Sequence, residues 1–121
     1  MIKSVAIIIP CYNSSNTLTR AIDSIINQSF PVNEVIVVDD YSIDSVKIEE
    51  ICNLYDSVKY IKNEKNLGLA GSRNKGVSFA ISDIIAFLDA DDQYHKHKIE
   101  MQLRYINKKN AVSTDVKKIY I

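Results

Sequence analysis

The chain has 121 residues, of which 46% are hydrophobic and 25% are charged, a composition typical of one globular domain with a core of its own. Its 15 basic and 15 acidic side chains cancel at neutral pH, so bulk charge gives no indication of a nucleic-acid partner. We therefore expect a single domain over 1–121 and no nucleic acid among its partners.

The two cysteines, Cys11 and Cys52, have neither metal-ligand spacing nor the pattern of a disulfide framework, which fits a reducing compartment. The apolar start of the chain is too short for a signal core or a membrane span, and Pro10 ends it. These features favour a cytoplasmic location.

Short apolar runs and stretches of helical periodicity alternate along the chain. The runs predict buried strands at 4–9, 34–38 and 84–88, with a less buried strand near a sheet edge at 58–63. The periodic stretches predict helices at 14–30, 42–55, 72–81 and 96–108, with 66–71 as a loop and a last strand within 111–121. Their inward faces are Leu18, Ile22, Ile25 and Ile26; Ile48, Ile51, Cys52 and Tyr55; Val77 and Ala80; and Ile99, Leu103 and Ile106.

Strands that alternate with helices predict an α/β fold, a doubly wound, mostly parallel sheet with helices on both faces and right-handed connections. In such sheets, ligands bind beyond the carboxyl ends of the strands, near the point where strand order reverses. Polar or aromatic side chains follow three of the predicted strands, at 10–12, 39–40 and 89–92. We expect these three stretches to meet at one edge of the sheet.

The strand at 84–88 runs directly into three carboxylates, Asp89, Asp91 and Asp92. Acids this close repel one another, and a bound cation removes that repulsion. Hard cations such as Mn²⁺ and Mg²⁺ take carboxylate and phosphate oxygens, so Asp91 is the candidate metal ligand, with Asp89 facing a ribose or a metal-bound water. The alternative interpretation is a solvated acidic turn in which Asp92 caps the next helix.

Two residues on the other strands are candidates for binding a nucleobase. Asp40 can accept a hydrogen bond from a base edge, and Tyr12 can stack on a base face. Each also has a plainer interpretation, because Asp40 can simply end its strand and Tyr12 can be an aromatic packed at the rim.

The stretch 66–76 holds all three glycines of the chain together with Arg73 and Lys75. Its spacing fits neither a phosphate-binding Walker loop nor a dinucleotide fingerprint. Arg73 can form paired hydrogen bonds with a phosphate or carboxylate of a ligand. It can equally pair with Asp89 or Asp40 and hold that carboxylate in place.

Four motifs, at 8–13, 37–40, 66–76 and 87–92, resemble in order and spacing the successive motifs of glycosyltransferase family 2, which has the GT-A fold. The resemblance implies an inverting glycosyltransferase of glycan or polysaccharide biosynthesis with a nucleotide-diphosphate-sugar donor, most commonly a UDP-sugar. It implies a DXD motif at 89–91, with Mn²⁺ or Mg²⁺ on Asp91. The nucleotide-sugar-binding residues it implies are Pro10, Tyr12, Asn13, Asp40, Arg73, Asp89 and Ala90.

The chain departs from the family pattern at Tyr41, where glycine is common, and at Lys96, where proline is frequent. Family catalytic domains also extend further and carry the acceptor site and the general base there. We therefore expect the N-terminal portion of a GT-A domain and assign no catalytic residue. Two other classes stay open: a donor-binding module without catalysis, and a phosphotransfer domain of receiver or phosphatase type.

The resemblance also implies a glycan or lipid-linked acceptor. Because the expected domain lacks its second half, apolar surface should be exposed around the last strand and the last helix, which favours a homo-oligomer. The lysine-rich face of the last helix allows peripheral contact with the inner face of a membrane, although a merely solvated face is the plainer interpretation.

Overall fold

The computed structural model describes residues 4–109 and 118–121. Five strands alternate with four helices, as the sequence predicts. In chain order they are β1 Val5–Cys11, α1 Ser15–Ile26, β2 Glu34–Asp39, α2 Ser45–Cys52, β3 Val58–Lys62, α3 Gly68–Phe79, β4 Ile84–Phe87, α4 Lys98–Lys109 and β5 Ile119–Tyr120.

The strands form one sheet in the order β3-β2-β1-β4-β5, and every neighbouring pair is parallel. This confirms the predicted doubly wound α/β architecture and the edge position of β3. The strands β2 and β3 lie on one side of β1, and β4 and β5 lie on the other. The strand order therefore reverses between β1 and β4. A ligand crevice is expected at that position.

The alternation of side chains along the strands divides the core into two layers. Residues such as Ile7, Val37 and Ala86 pack with the buried faces of α1, α2 and α4. Their neighbours Ile8 and Val38 face the other side, where α3 packs. Helices therefore cover both faces of the sheet, with three on one face and one on the other.

The helix of the last connection, α4, packs on the same face of the sheet as α1 and α2. The chain moves from β1 to β3 in one direction and from β4 to β5 in the opposite direction. Residues 110–117, between α4 and β5, lie outside the described residues, so the right-handed crossover stays a prediction for this connection.

Pro10 lies inside β1 without breaking the sheet. It pairs with Val38 of β2, whereas the pairing between β1 and β4 stops at Ile8 and Phe87. Residues 8 and 10 of a strand point their backbone groups to the same side, so the missing N–H of proline faces the gap where β4 has already ended. The two strands separate there, which opens the crevice.

The helix α3 lies unusually close to the sheet at Gly76. A Cβ atom at this position would be 2.5 Å from Cγ2 of Ile8 and 3.2 Å from Cγ2 of Val38. Only a residue without a side chain fits, so Gly76 sets the separation between α3 and the strands β1 and β2.

Three local predictions were wrong. The predicted loop at 66–71 holds the start of α3, which begins at Gly68 rather than at Ser72. Ile26 is 49% exposed rather than buried, and Tyr55 lies beyond the end of α2, where its ring still packs on the core. Of the last predicted strand, only 118–121 is described, and β5 lies there; the remainder of 111–121 is outside the described residues.

Within the described residues, none of the helices combines the length and the hydropathy that a bilayer crossing needs.

Candidate functional site

A cavity of about 400 Å³ opens at the carboxyl ends of β1 and β2, beside the start of α3. Three of the residues predicted from the sequence to bind the donor line this cavity: Pro10, Tyr12 and Asp40. Its remaining lining residues are Cys11, Asn66, Gly68, Leu69 and Ser72. The half-exposed ring of Tyr12 and the side chain of Leu69 give the cavity apolar walls. A flat aromatic group fits such walls.

The carboxylate of Asp40 joins β2 to the start of α3. One oxygen accepts hydrogen bonds from the backbone N–H of Leu67 at 2.6 Å and from the amide of Asn63 at 3.0 Å, and the other accepts from the N–H of Gly68 at 3.0 Å. Asn66 donates to the carbonyl of Asp40 at 2.6 Å. A buried acid from a distant strand therefore satisfies the first donors of α3.

This capping explains why α3 begins earlier than predicted. Gly68 has a φ of +79°, a left-handed conformation that glycine adopts without strain, so the chain can turn into the helix directly beneath Asp40. Burial alone would raise the pKa of Asp40, but the hydrogen bonds from Leu67, Asn63 and Gly68 outweigh it and hold the pKa below its usual value. Asp40 is therefore ionised at neutral pH.

Asp39 is fully buried beside the cavity and has a structural role. Its oxygens accept hydrogen bonds from the backbone N–H of Ser42 at 3.0 Å and from the hydroxyl of Tyr60 at 2.5 Å. Burial works to raise the pKa of Asp39, and the hydrogen bonds from Ser42 and Tyr60 reverse this and lower it. Burial and the charge of Asp39 raise the pKa of the Cys11 thiol to about 12. The thiol is therefore protonated at neutral pH, which favours a structural role for this cysteine.

Asn13 and Tyr41 form the join between the loops after β1 and β2. Both have left-handed backbones, with φ of 52° and 58°. The N–H of Asn13 donates to Ser42 Oγ and its side-chain oxygen accepts from the N–H of Ile43, each at 2.9 Å. The glycine that the family commonly has at position 41 would adopt this φ freely, whereas tyrosine adopts it with some strain. Asn13 thus fixes the shape of the rim.

The acidic loop after β4 is held in place by its backbone. The carbonyl of Ala90 accepts a hydrogen bond from the hydroxyl of Thr17 at 2.7 Å, and the carbonyl of Asp91 accepts from Arg20 at 3.0 Å. Tyr94 donates its hydroxyl to the carbonyl of Phe87. Because these partners bind carbonyls rather than carboxylates, the loop is fixed while its acids stay available.

The three carboxylates of this loop are exposed. Within the described part of the chain, the Asp91 carboxylate has no hydrogen bond or ion pair, and Asp92 accepts only from the N–H of the adjacent Gln93, at 2.9 Å. The helix α4 begins at Lys98, so the interpretation of Asp92 as its cap was wrong. Asp91 and Asp92 therefore remain free to bind a ligand.

Arg73 approaches this loop from α3. Its guanidinium lies 3.6 Å from a carboxylate oxygen of Asp89 and 5.3 Å from the centroid of the Phe87 ring. The structure thus realises the ion pair with Asp89 that the sequence analysis left open. Arg73 and Asp89 line a second cavity, of about 320 Å³, together with Phe87, Leu88, Asp92, Gln93, Tyr94, His95 and Lys98.

Several residues of the site carried no usable sequence signal. Asn63 and Ser72 are buried beneath the first cavity and are hydrogen-bonded to each other at 3.1 Å. Thr17, which is distant in the chain, and Tyr94, which follows the loop directly, hold the acidic loop in place. Asn66 stands in the glycine-rich stretch, and its hydrogen bond to the carbonyl of Asp40 follows from the fold rather than from a local sequence pattern.

A parallel sheet with a crevice at its strand-order reversal, an apolar cavity on one side and an acidic loop on the other defines a doubly wound α/β protein with a candidate ligand site at that crevice. The model described as Glycosyl transferase family 2 matches residues 6–120, and the chain belongs to that family.

Among similar proteins is the amylovoran biosynthesis glycosyltransferase AmsB of Erwinia amylovora, which is 37% identical over 109 residues. The match covers 87% of this chain and 36% of AmsB. A second is WfgD of Escherichia coli, a UDP-Glc:α-D-GlcNAc-diphosphoundecaprenol β-1,3-glucosyltransferase, 36% identical over 106 residues, with 88% of this chain and 42% of WfgD covered. The chain thus spans less than half the length of each relative.

Solved structures give the same fold. TarS of S. aureus in complex with UDP-GlcNAc superimposes with a TM-score of 0.76 at 29% identity and covers 87% of this chain, which in turn covers 31% of the TarS chain. The mannosyltransferase PcManGT of Pyrobaculum calidifontis, solved with GDP-Man and Mn²⁺, has a TM-score of 0.79 at 21% identity, with 88% and 33% covered. The GT-A fold implied by the sequence resemblance is confirmed.

Proposed function

We propose that this chain is the nucleotide-sugar-binding portion of an inverting glycosyltransferase that takes a UDP-sugar with a divalent metal in glycan or polysaccharide biosynthesis. The observation that carries the proposal is the pairing of an apolar cavity at β1 and β2 with an exposed acidic loop at β4, on one edge of the sheet. The UDP-GlcNAc complex of TarS and the UDP-glucose donor named for WfgD support uridine as the nucleoside.

The nucleobase is assigned to the first cavity. Tyr12 would stack on the ring, and Pro10 would form the floor. The Asp40 carboxylate accepts three hydrogen bonds within the protein, and its two oxygens have room for about four, so one acceptor position is left for a base N–H. The main role of Asp40 would therefore be to hold the start of α3 at the cavity, and contact with the base would be a second role.

The acidic loop fits a hard divalent cation by the chemistry of its donors. Among the described residues there is no group of three His, Cys, Asp or Glu that could enclose a metal. Mg²⁺ and Mn²⁺ commonly use one or two carboxylates, with waters and substrate phosphates completing the shell. Asp91, with its unpaired carboxylate, would hold the cation, which when bound neutralises the charge that develops on the diphosphate.

The chain's own residues would orient the donor around that diphosphate. Arg73 would add a second positive charge beside Asp89, at the edge nearest to the phosphates. Ala90 is buried and, through its carbonyl, anchors the loop on Thr17, so its contribution would be the shape of the backbone beneath the donor. We assign no residue of this chain to deprotonation of the acceptor.

Acceptor, location and assembly are further proposals. A lipid-linked glycan acceptor is supported by the acceptor named for WfgD, and it would place the chain at the inner face of a membrane from the cytoplasm. Association with a second copy is supported by exposed apolar side chains at the β5 edge and after α3. Tyr120 is 57% exposed and Ile81 is 89% exposed. A single monomeric species in light scattering at high concentration would contradict that part.

A donor-binding module without turnover is the second candidate, favoured by the fraction of its relatives that the chain spans. Steady release of UDP from a UDP-sugar in the presence of an added acceptor would exclude it. Both candidates require the same donor site, so a binding measurement tests them together.

The test is a thermal-shift panel with UDP, CDP, GDP and ADP, each with and without Mn²⁺. We expect UDP with Mn²⁺ to give the largest stabilisation, about 2.7 kcal/mol at a concentration 100 times its dissociation constant. Asp91→Asn should remove the part of the shift that depends on Mn²⁺. Asp83→Asn is its matched control, because Asp83 is an exposed acid at the opposite end of β4. Equal shifts with all four nucleotides, or none, would contradict the proposal.

A further inference from the structure

Arg73, Phe87 and Tyr120 form a connected group at the edge of the site, although they come from three different elements, α3, β4 and β5. The guanidinium carbon of Arg73 lies 5.3 Å from the centroid of the Phe87 ring, within the range of a cation–π contact. The rings of Phe87 and Tyr120 are stacked, with centroids 6.4 Å apart and planes only 5° from parallel.

The ion pair with Asp89 does little to fix the position of Arg73. Its closest nitrogen–oxygen distance is 3.6 Å, which is longer than a hydrogen bond, and the side chains are 39% and 53% exposed. Exposed pairs of this kind are weak and screened by salt. The buried Nε of Arg73 has no hydrogen-bond partner in the described residues. The aromatic ring is therefore the main restraint on the plane of the guanidinium.

A restrained guanidinium matters for binding an anion. Arginine recognises phosphate through a planar fork of N–H donors, and a fork already held in one orientation loses less freedom when the ligand arrives. Phe87 is the last residue of β4, two positions before Asp89. The same strand therefore positions both the acidic loop and the ring that contacts Arg73. Any shift of the strand moves both together.

We propose that Phe87, with Tyr120 stacked against it, is a positioning residue that holds the Arg73 guanidinium oriented for the diphosphate of the donor. The inference rests on the proposed function, since it takes the diphosphate to be the anion. It adds to that function two aromatic residues that contact no reacting atom and act through Arg73.

The test is a double-mutant cycle on UDP binding, measured by calorimetry with Mn²⁺. We expect Phe87→Leu to weaken UDP binding about threefold, the range of a partly exposed cation–π contact. In an Arg73→Gln background, the same Phe87→Leu change should have almost no effect, because the group that the ring positions is gone. Phe87→Tyr should keep the affinity of the unmodified chain.

Phe79→Leu is the matched control, since Phe79 lies on α3 and is 45% exposed outside the aromatic group. Tyr120→Leu, at an exposed edge, is the second variant in case Phe87→Leu does not fold, and it should weaken UDP binding in the same direction by a smaller factor. An equal loss from Phe87→Leu with and without Arg73, or no loss from either variant, would overturn the inference alone. Absence of UDP binding by the unmodified chain would overturn the proposed function as well.

Discussion

The strands β2 and β4 both end in clustered acids, but the two clusters have opposite physical states. Asp39, the last residue of β2, and Asp40, the next residue, are buried, and their oxygens accept hydrogen bonds from within the protein. Asp89 and Asp91 after β4 lie on a loop whose backbone is held by α1 while the carboxylates face solvent. In sequence the clusters look alike.

The difference indicates that one cluster stabilises the fold of the site and that the other is available to bind a ligand. A buried carboxylate that caps a helix contributes to the folded state and has little capacity left for a ligand. An exposed carboxylate on a fixed loop contributes little to folding and keeps its full capacity for a cation. The acids after β2 should therefore act on stability, and those after β4 on binding. The predictions that follow test this division, beginning with the largest effect.

Replacing Asp40 should have the largest effect on stability. Asp40→Ala removes the acceptor for the N–H groups of Leu67 and Gly68 and for the amide of Asn63. The Asn63 amide is buried and the two backbone N–H groups are partly buried. A buried donor left without a partner costs about 1–3 kcal/mol, so we expect a loss of about 3 kcal/mol in the free energy of unfolding. Urea denaturation measures it, and a loss below about 1 kcal/mol would show that Asp40 does not hold α3.

The close contact at Gly76 should come next. Gly76→Ala forces a methyl group against Ile8 and Val38, so the helix must move away from the sheet. We expect a loss of about 1–3 kcal/mol, the usual range for overpacking. Gly71→Ala is a comparison within the same helix: its added Cβ would lie 2.8 Å from Cβ of Leu67, so the exposed first turn of α3 must adjust while the contact with the sheet stays unchanged. If Gly76→Ala left the unfolding midpoint unchanged, the packing of α3 described above would be incorrect.

Acid should destabilise the fold through the first cluster. The pKa values of Asp39 and Asp40 are lowered in the folded state. Their stabilisation is therefore complete above the ordinary carboxyl pKa of about 3.9 and is lost as pH falls through the lower folded-state values. Urea midpoints measured from pH 7 to pH 2 should fall in that acidic window.

Tyr60→Phe sharpens the same prediction. Removing the hydroxyl that donates to Asp39 should bring the pKa of Asp39 closer to its ordinary value, so that less of the stability depends on pH. Tyr55→Phe is the control, because Tyr55 donates to Asp23, an exposed acid outside the cluster. Identical pH profiles for the two variants would argue against a special role for Asp39.

The smallest effect on stability belongs to Asp91. Asp91→Asn should change the free energy of unfolding by less than about 0.5 kcal/mol, because the carboxylate is exposed and unpaired within the described residues. It should nonetheless abolish the part of the UDP affinity that depends on Mn²⁺. Destabilisation as large as that of Asp40→Ala would remove the distinction between the two clusters.

The sheet could be predicted from the sequence because each strand is specified by its own residues. Runs such as Val35 to Val38 are apolar and β-branched, and their order predicted the parallel sheet and the edge where the motifs meet. The contacts of Arg73 were also anticipated, as one of two alternatives. These features depend on composition and chain order.

Other features depend on distant partners. The start of α3 was missed because glycines at 68 and 71 resemble a loop, and only Asp40, 28 residues before Gly68, supplies the acceptors that start the helix there. The capping of α3 by Asp40 was not predicted for the same reason, and its contact with a ligand stays a prediction. The face of the sheet that α4 covers also depends on distant contacts, because its periodicity does not specify that face.

The most direct test of the division between the clusters is paramagnetic broadening in nuclear magnetic resonance spectra of the chain with UDP and Mn²⁺. We predict that the amide signals of 89–92 broaden most, that those around Gly68 and Tyr12 shift with UDP, and that Asp91→Asn abolishes the broadening. Broadening centred on Asp39 and Asp40, or spread evenly over the acidic residues of the surface, would contradict the account.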